Sequence, residues 1–229
     1  MVRAIFFDFN GVLVDDEPLH CALFQQTLSE KNISLSKEDY YKKYLGFDDH
    51  DAFAAVLKDR GQNPYEDLIR TLIESKAKRY EQEMRKKGLF VPGAIEFVKQ
   101  VSEKYFLGIV SGALTREITA WLAKGQIQNL FQVIVAAEDI QKGKPDPEGY
   151  LRALDSLNRD FVPSSEIVIP QECLAIEDSQ WGIDSALSAG MSCIGLTTTY
   201  SKEELRGAQD VVGKFSEITP EVLSKIIPS

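Results

Sequence analysis

Four short polar segments combine residue types that are used in phosphate and metal chemistry. Carboxylates are ligands that Mg²⁺ prefers, a lysine neutralises phosphoryl oxygens, and a carboxylate can also attack phosphorus as a nucleophile. If the segments meet in space, they predict phosphoryl transfer through an aspartyl phosphate, with Asp8 as the nucleophile. In chain order they are Asp8-Phe9-Asn10-Gly11, Ser111-Gly112, Gly143-Lys144-Pro145-Asp146-Pro147 and Glu177-Asp178-Ser179.

Three of these segments close short apolar runs, and the surrounding elements predict how they are brought together. Such runs alternate with helical patterns along most of the chain, which is typical of a parallel sheet covered by helices, a doubly wound α/β fold. Because the carboxyl ends of parallel strands share one edge of a sheet, we expect the polar segments to converge there. The predicted strands are Val2 to Phe9, Phe106 to Ser111, Gln132 to Ala136, Cys173 to Glu177 and Met191 to Leu196.

Residues 16–88 interrupt this alternation, because they contain several amphipathic helices in succession and no convincing strand. In the last of these helices, Asn63 is the predicted N-cap, Pro64 fits the first turn, and the Lys86-Lys87-Gly88 run is predicted to close the helix. The sequence therefore predicts two domains. One is an α/β core of residues 1–15 and 89–229, and the other is an all-helical cap domain of residues 16–88 inserted after the first strand.

Each polar segment, taken alone, has an ordinary structural explanation. An aspartate that ends a strand is more often a turn former, and a lysine between glycine and proline usually faces solvent. The run Glu177-Asp178-Ser179 is equally typical of a helix amino terminus, with Ser179 as the N-cap and the acids favoured by the helix dipole. The common order and the common sheet edge favour a shared site.

Composition excludes several classes of protein. The 229 residues carry 26 basic and 35 acidic side chains, a net charge of −9, which disfavours nucleic-acid binding through clustered lysine and arginine. Three cysteines without metal-ligand or redox spacing indicate a reducing, cytoplasmic environment. No apolar run reaches the roughly 18 residues that predict a membrane span. We therefore expect a monomeric, cytoplasmic protein whose partner is a small molecule.

In this order, the four segments resemble those of the haloacid dehalogenase (HAD) superfamily hydrolases. The likeness covers essentially the whole chain, and the run from Asp15 to His20 is similar to the signature that opens the helical cap in the branch that includes β-phosphoglucomutase and phosphoglycolate-type phosphatases. The resemblance implies Mg²⁺ as cofactor, held by the Asp8 carboxylate, the backbone carbonyl of Asn10 and the Asp178 side chain. Glu177 would join the metal directly or through water.

The same resemblance implies hydrolysis of a small phosphorylated metabolite. Ser111, Gly112 and Lys144 would bind the phosphoryl group, backbone amides at the amino terminus of the following helix would donate to it, and the cap would select the rest of the substrate. His20, where the cap begins, and Arg116, in the helix after Ser111, are further candidates for substrate contact. A structural role for His20 and a solvated surface position for Arg116 are the simpler explanations.

One position departs from the family pattern. Family phosphatases usually carry a second aspartate two residues after the nucleophile, which protonates the leaving group and then deprotonates the attacking water, but here this residue is Asn10. An amide cannot exchange a proton near neutral pH, and positioned proton transfer contributes about 10²- to 10⁴-fold. Four explanations remain: a slow phosphatase, a preference for leaving groups that need no proton, a non-catalytic phosphometabolite-binding module, or an introduced Asp-to-Asn change. A proton supplied by His20 is a fifth.

Two other reactions fit part of the pattern. A metal-free haloacid dehalogenase uses the same aspartate to attack carbon, but it has no need of Glu177 and Asp178. A sugar-phosphate mutase presents basic residues of the cap loop to a second phosphate, whereas residues 45–51 here read Leu-Gly-Phe-Asp-Asp-His-Asp. Because like charges would repel a bisphosphate, hydrolysis is favoured. Asp48 also fits the N-cap of the next helix.

Overall fold

The computed structural model describes residues 1–45, 47–84 and 89–226. The chain divides into two compact units, a first unit of Met1–Asp15 with Phe90–Ser229 and a second of Asp16–Leu89. The predicted helix end at Lys86-Lys87-Gly88 lies outside the described residues, as does Gly46 of the predicted cap loop. Among the described residues, no helix combines the length and the apolar character that crossing a membrane requires.

A parallel sheet of six strands forms the first unit, in the order β3-β2-β1-β4-β5-β6. This confirms the predicted doubly wound α/β fold. Every residue of β1 and β4 is buried, which explains the near-continuous apolar character of their sequences. The strands are β1 (Ala4–Phe7), β2 (Phe106–Val110), β3 (Val133–Val135), β4 (Cys173–Glu177), β5 (Ser192–Leu196) and β6 (Asp210–Val212).

Strand β6 was not among the predicted strands. It has three residues, it pairs only with β5 at the end of the sheet, and Val212 alone is fully buried. So short an edge strand has too few residues to show the apolar pattern on which a strand prediction depends.

The helices are divided between the two units. Helices α1 to α4 belong to the second unit and α5 to α9 to the first, where α7 and α8 pack against the sheet. The bounds are α1 (Glu17–Ser29), α2 (Lys37–Asp39), α3 (Asp49–Asp59), α4 (Glu66–Met84), α5 (Ala94–Ser102), α6 (Thr115–Gly125), α7 (Glu148–Asp160), α8 (Gln180–Ser188) and α9 (Pro220–Ile226). A π-helical turn, Tyr40–Tyr44, follows α2 directly.

Helix α4 begins later than the sequence predicts. Asn63 was the predicted N-cap, with Pro64 in the first turn, but the helix begins at Glu66. The first carbonyl to accept an i to i−4 hydrogen bond there is that of Tyr65, from the Ile69 amide at 3.0 Å. The predicted capping position at Asn63 was therefore wrong.

A buried lysine joins three helices of the second unit. Lys76 on α4 has no exposed surface, and its Nζ lies 2.6 Å from the Asp49 carboxylate of α3 and 2.7 Å from Nδ1 of His20 on α1. Because an ammonium has only donors, Nδ1 accepts and the ring proton lies on Nε2, 3.2 Å from the Asp16 carboxylate. His20 thus has a defined structural role within this unit.

The acidic loop that precedes α3 also has structural partners. Asp48 caps the helix by accepting a hydrogen bond from the Asp51 amide at 2.8 Å, and Asp49 pairs with Lys76. The N-cap explanation of Asp48 therefore holds. Because Lys76 offsets the charge of Asp49, the net negative charge of this loop is smaller than the sequence suggests.

Candidate active site

The register of the sheet sets two of the polar segments side by side. Phe7 of β1 pairs with Ile109 of β2 and with Ile176 of β4, so Asp8 and Glu177 are the next residues of adjacent strands. The Asp8 amide donates to the Ile176 carbonyl at 3.0 Å, which fixes the main chain where β1 ends. Both carboxylates therefore leave the sheet at its carboxyl edge.

Three carboxylates and one ammonium meet at this edge. Carboxylate oxygens of Asp8, Glu177 and Asp178 all lie within 4.8 Å of one another. The Nζ of Lys144 lies 2.9 Å from Oδ1 of Asp8 and 2.6 Å from Oε1 of Glu177. We call these four side chains the acid-lysine cluster. With all four ionised, three negative charges face one positive charge, so a divalent cation would neutralise the cluster.

Burial and mutual repulsion govern protonation in the acid-lysine cluster. Burial raises the pKa of Glu177 to about 7, with Lys144 lowering it and Asp8 raising it further. Burial also raises the pKa of Asp178 well above its usual value, and the charge of Asp8 adds to this effect. Burial alone would lower the pKa of Lys144, but Asp8 and Glu177 raise it above its ordinary value, so the ammonium stays charged.

The donor set fits a magnesium ion. Three carboxylates supply the hard oxygen ligands that Mg²⁺ prefers. Oε2 of Glu177 is buried, and no hydrogen bond reaches it from the part of the chain that the structure describes. A buried oxygen of this kind is costly unless a donor or a cation takes it. Asn10, whose backbone carbonyl is the expected ligand, is half-buried in the turn after β1 and forms an isolated β-bridge with Val14.

Two glycines lie so close to these acids that a side chain at either position would collide with a carboxylate. A Cβ built on Gly11 would lie 1.9 Å from Oδ2 of Asp178, and one built on Gly182 would lie 1.8 Å from Oε2 of Glu177. Gly11 also has a φ of +75°, a conformation that side chains disfavour. The main chain therefore approaches both carboxylates more closely than any other residue type would permit.

We expect Gly11→Ala to lower the free energy of unfolding of the first unit by about 3 kcal/mol, against about 1 kcal/mol for the control Gly93→Ala. Both glycines have positive φ, +75° and +85°, so both substitutions strain the main chain. At position 93, however, the new methyl group would meet only the Cβ of Phe215 at 3.6 Å, an ordinary contact. The difference between the variants therefore measures the collision with Asp178 and with the hydroxyl of Thr199, which would lie 2.8 Å from the new Cβ.

Urea unfolding followed by tryptophan fluorescence is the suitable measurement. Trp121 and Trp181, the two tryptophans of the chain, both belong to the first unit, so the signal reports that unit alone. The titrations are run in EDTA, so that bound cations do not contribute. Equal losses for the two variants would contradict the close approach of Gly11 to Asp178.

The other predicted site residues, Ser111, Gly112, Arg116 and His20, differ in burial and in the unit to which they belong. Ser111 is buried directly after β2, and its hydroxyl accepts from the Ala113 amide at 3.1 Å, while Gly112 beside it is exposed. Arg116 is exposed in the first turn of α6, and among the described residues no contact joins it to the acid-lysine cluster. His20 belongs to the second unit, with the partners given above.

The two explanations of the Glu177-Asp178-Ser179 run are compatible. Ser179 caps α8, because its hydroxyl accepts from the Gly182 amide at 3.1 Å. The two acids before it lie in the acid-lysine cluster. The helix amino terminus and the carboxylate group are thus built from consecutive residues.

The sequence analysis missed two residues that contact these acids. The Thr199 side chain hydrogen-bonds to Asp178, which lowers the carboxyl pKa against the larger effect of burial, and the Tyr150 hydroxyl donates to Glu177 at 2.5 Å. A signal existed for Thr199, because three threonines follow β5 at the same carboxyl edge. No sequence signal marked Tyr150, which lies within an amphipathic helix where a buried aromatic residue is ordinary.

The fold and the cluster together define a class: a doubly wound α/β protein with a carboxylate and lysine centre at the carboxyl edge of a parallel sheet. Residues 5–196 match the model of the haloacid dehalogenase-like hydrolases, and the chain belongs to that family. The resemblance predicted from the four polar segments is therefore confirmed.

Several known proteins are similar over most of their length. The phosphorylated carbohydrates phosphatase of Thermotoga maritima is 29% identical over 198 residues, 84% of each chain. The β-phosphoglucomutase of Bacillus subtilis is 26% identical over 227 residues, 97% of this chain and 94% of the relative. The crystal structure of an Asp-to-Asn mutant of CbbY from Rhodobacter sphaeroides, in complex with xylulose 1,5-bisphosphate, has a TM-score of 0.83 and 25% identity over 95% of this chain and 96% of that one.

Proposed function

We propose that the chain is a Mg²⁺-dependent phosphatase of a small phosphorylated carbohydrate, which acts through a phosphorylated Asp8. The convergence of Asp8, Lys144, Glu177 and Asp178 at one sheet edge carries this proposal. The substrate class is supported by the similarity to a phosphorylated carbohydrates phosphatase and to a β-phosphoglucomutase. We assign residues 16–88 the part of a cap domain that selects the substrate.

The side chains of the acid-lysine cluster have different proposed roles in phosphoryl transfer. Bound Mg²⁺, with Asp8, Asp178, Glu177 and the Asn10 carbonyl as its proposed ligands, would supply the positive charge that lets a carboxylate approach an anionic phosphoryl group. Asp8 attacks phosphorus, and the bond from phosphorus to the sugar oxygen breaks as the new bond forms. Lys144, held against Asp8 at 2.9 Å, neutralises the phosphoryl oxygens.

The second half of the reaction releases phosphate. Water attacks the phosphorus of the aspartyl phosphate, the bond to Asp8 breaks, and the carboxylate is regenerated. Both halves need a proton transfer that Asn10 cannot provide, because an amide is neither an acid nor a base near neutral pH. Solvent must supply and accept these protons, so both steps are slow.

A phosphate-release screen tests the proposal directly. The chain is assayed against sugar phosphates, nucleotides and phosphoglycolate, with Mg²⁺ and then with EDTA. We expect release from sugar phosphates, its loss in EDTA and its recovery when Mg²⁺ is restored. Release that persists in EDTA would exclude the metal-dependent mechanism, and release confined to nucleotides would exclude the substrate class.

A non-catalytic phosphometabolite-binding module is the second candidate, and Asn10 is the observation that favours it. The CbbY mutant in which an asparagine replaces an aspartate was crystallised with a sugar bisphosphate, which supports sugar-phosphate binding by proteins of this fold that carry such a change. If neither the unsubstituted chain nor Asn10→Asp released phosphate in the screen, and calorimetry showed that the chain binds a sugar phosphate, the binding module would be favoured. A metal-free dehalogenase is disfavoured, because Glu177 and Asp178 have no part in that reaction.

A further inference from the structure

The Tyr150 hydroxyl is buried against one carboxylate of the acid-lysine cluster. Tyr150 lies in the first turn of α7, has no exposed surface, and donates to Oε1 of Glu177 at 2.5 Å. Its ring packs edge-on against Phe6 of β1, with ring centroids 6.4 Å apart and planes at 81°. The aromatic ring is thus held by the core of the first unit, and its hydroxyl is aimed at a single acceptor.

The two oxygens of Glu177 have unequal surroundings. Oε1 contacts both the Tyr150 hydroxyl and Nζ of Lys144, at 2.5 and 2.6 Å. Oε2 is buried without a hydrogen bond from any described residue, and the main chain of Gly182 approaches it on one side. The hydroxyl donor and the ammonium therefore both lie against one oxygen, and no hydrogen bond from a described residue reaches the other.

Lys144 by itself does not define this orientation. Its Nζ is shared between Glu177 and Asp8, and an ammonium acts as a point charge whose three donors rotate freely. The Tyr150 hydroxyl stands at the end of a rigid ring, so its oxygen has one position. It is also neutral, so it orients the carboxylate without adding a charge that would repel a metal ion.

We propose that Tyr150 is a positioning residue of the metal site, which holds Glu177 so that Oε2 remains available to a divalent cation. The proposal rests on the proposed function, because it assumes that Mg²⁺ binds to the acid-lysine cluster. Groups that orient metal ligands through hydrogen bonds typically contribute about 10- to 100-fold to metal affinity. Tyr150 would contribute this without touching the metal or the substrate.

Removing the hydroxyl alone tests the proposal. Tyr150→Phe keeps the ring against Phe6 and beneath Lys144, whose Nζ lies 5.7 Å from the ring centroid. By isothermal titration calorimetry with Mg²⁺ on the otherwise unchanged protein, we expect the dissociation constant to rise about 10-fold. The matched control is Tyr44→Phe, which removes a hydroxyl bonded to Asp59 at 2.6 Å in the second unit and should leave the constant unchanged.

A second measurement separates positioning from a structural role. At saturating Mg²⁺ the ion itself holds Glu177, so kcat of Tyr150→Phe should return to within about threefold of the unsubstituted chain, while half-saturation by Mg²⁺ stays about 10-fold higher. An unchanged dissociation constant would overturn the positioning role and leave the phosphatase proposal standing. A kcat that stays low at saturating Mg²⁺ would show a structural role instead. Failure of the unsubstituted chain to bind Mg²⁺ would refute the metal site itself, and both proposals with it.

Discussion

Asn10→Asp is expected to raise the steady-state turnover of alkyl phosphates by about 10²- to 10⁴-fold, which is the usual contribution of positioned proton transfer. The new carboxyl group would protonate the leaving sugar oxygen and then deprotonate the attacking water. Because alkyl alcohols are poor leaving groups, the gain should be larger with a sugar phosphate than with p-nitrophenyl phosphate. Rates measured at saturating Mg²⁺ for both substrates give this comparison.

Pre-steady-state kinetics of the unsubstituted chain provide a control for this prediction. With p-nitrophenyl phosphate the first step needs almost no acid, whereas hydrolysis of the aspartyl phosphate still needs a base. We expect a burst of p-nitrophenol close to one equivalent per chain, followed by slow turnover, and a diminished burst in Asn10→Asp. Equal rates of the two chains with every substrate would contradict the role assigned to position 10.

Asp8→Asn should abolish phosphoryl transfer, with a loss of at least about 10⁴-fold when it is made in the faster Asn10→Asp background. The amide cannot attack phosphorus, and it removes one of the charges that face Lys144. Steady-state phosphate release measures the loss. Peptide mass spectrometry after acid quenching should locate the phosphoryl group on Asp8 of the parent and find none on the variant.

Asp15→Asn is the matched control for Asp8→Asn. Asp15 is an exposed aspartate seven positions further along the chain, still in the first unit. Its replacement should leave both the rate and the phosphorylated peptide unchanged. Residual transfer by Asp8→Asn at the parent rate would refute Asp8 as the nucleophile and would leave the family assignment intact.

The fold class could be predicted because its signals are local. Buried parallel strands read as short apolar runs, and a run such as Ala4–Phe7 is apolar at every position because helices cover both faces of the sheet. The prediction failed where the local signal is weak, at the three-residue edge strand Asp210–Val212 and at the start of α4. In both places the element's bounds depend on hydrogen bonds to partners and not on residue type.

The sequence alone predicted that polar segments meet at one edge of the sheet, and Asp8, Lys144, Glu177 and Asp178 do lie together there. Asp8 and Glu177 each end a strand or follow one, and the carboxyl ends of parallel strands share an edge whatever the exact register. The roles given to these residues stay predictions, which the substitutions above would test. Arg116, by contrast, was a candidate by proximity in sequence to Ser111, and its exposed position on α6 joins it to no described member of the acid-lysine cluster.

Only the tertiary structure decided how the carboxylates are held. The Tyr150 hydroxyl reaches a carboxylate 27 residues away, and Thr199 meets Asp178 from the end of a different strand. Such contacts depend on strand register and on which side chain fills the space beside a helix, neither of which leaves a periodic trace in the chain. Residue types and spacing therefore predicted the chemistry proposed for this protein, whereas packing determined which oxygen of Glu177 receives a hydrogen bond and which does not, because orientation depends on the neighbouring side chains.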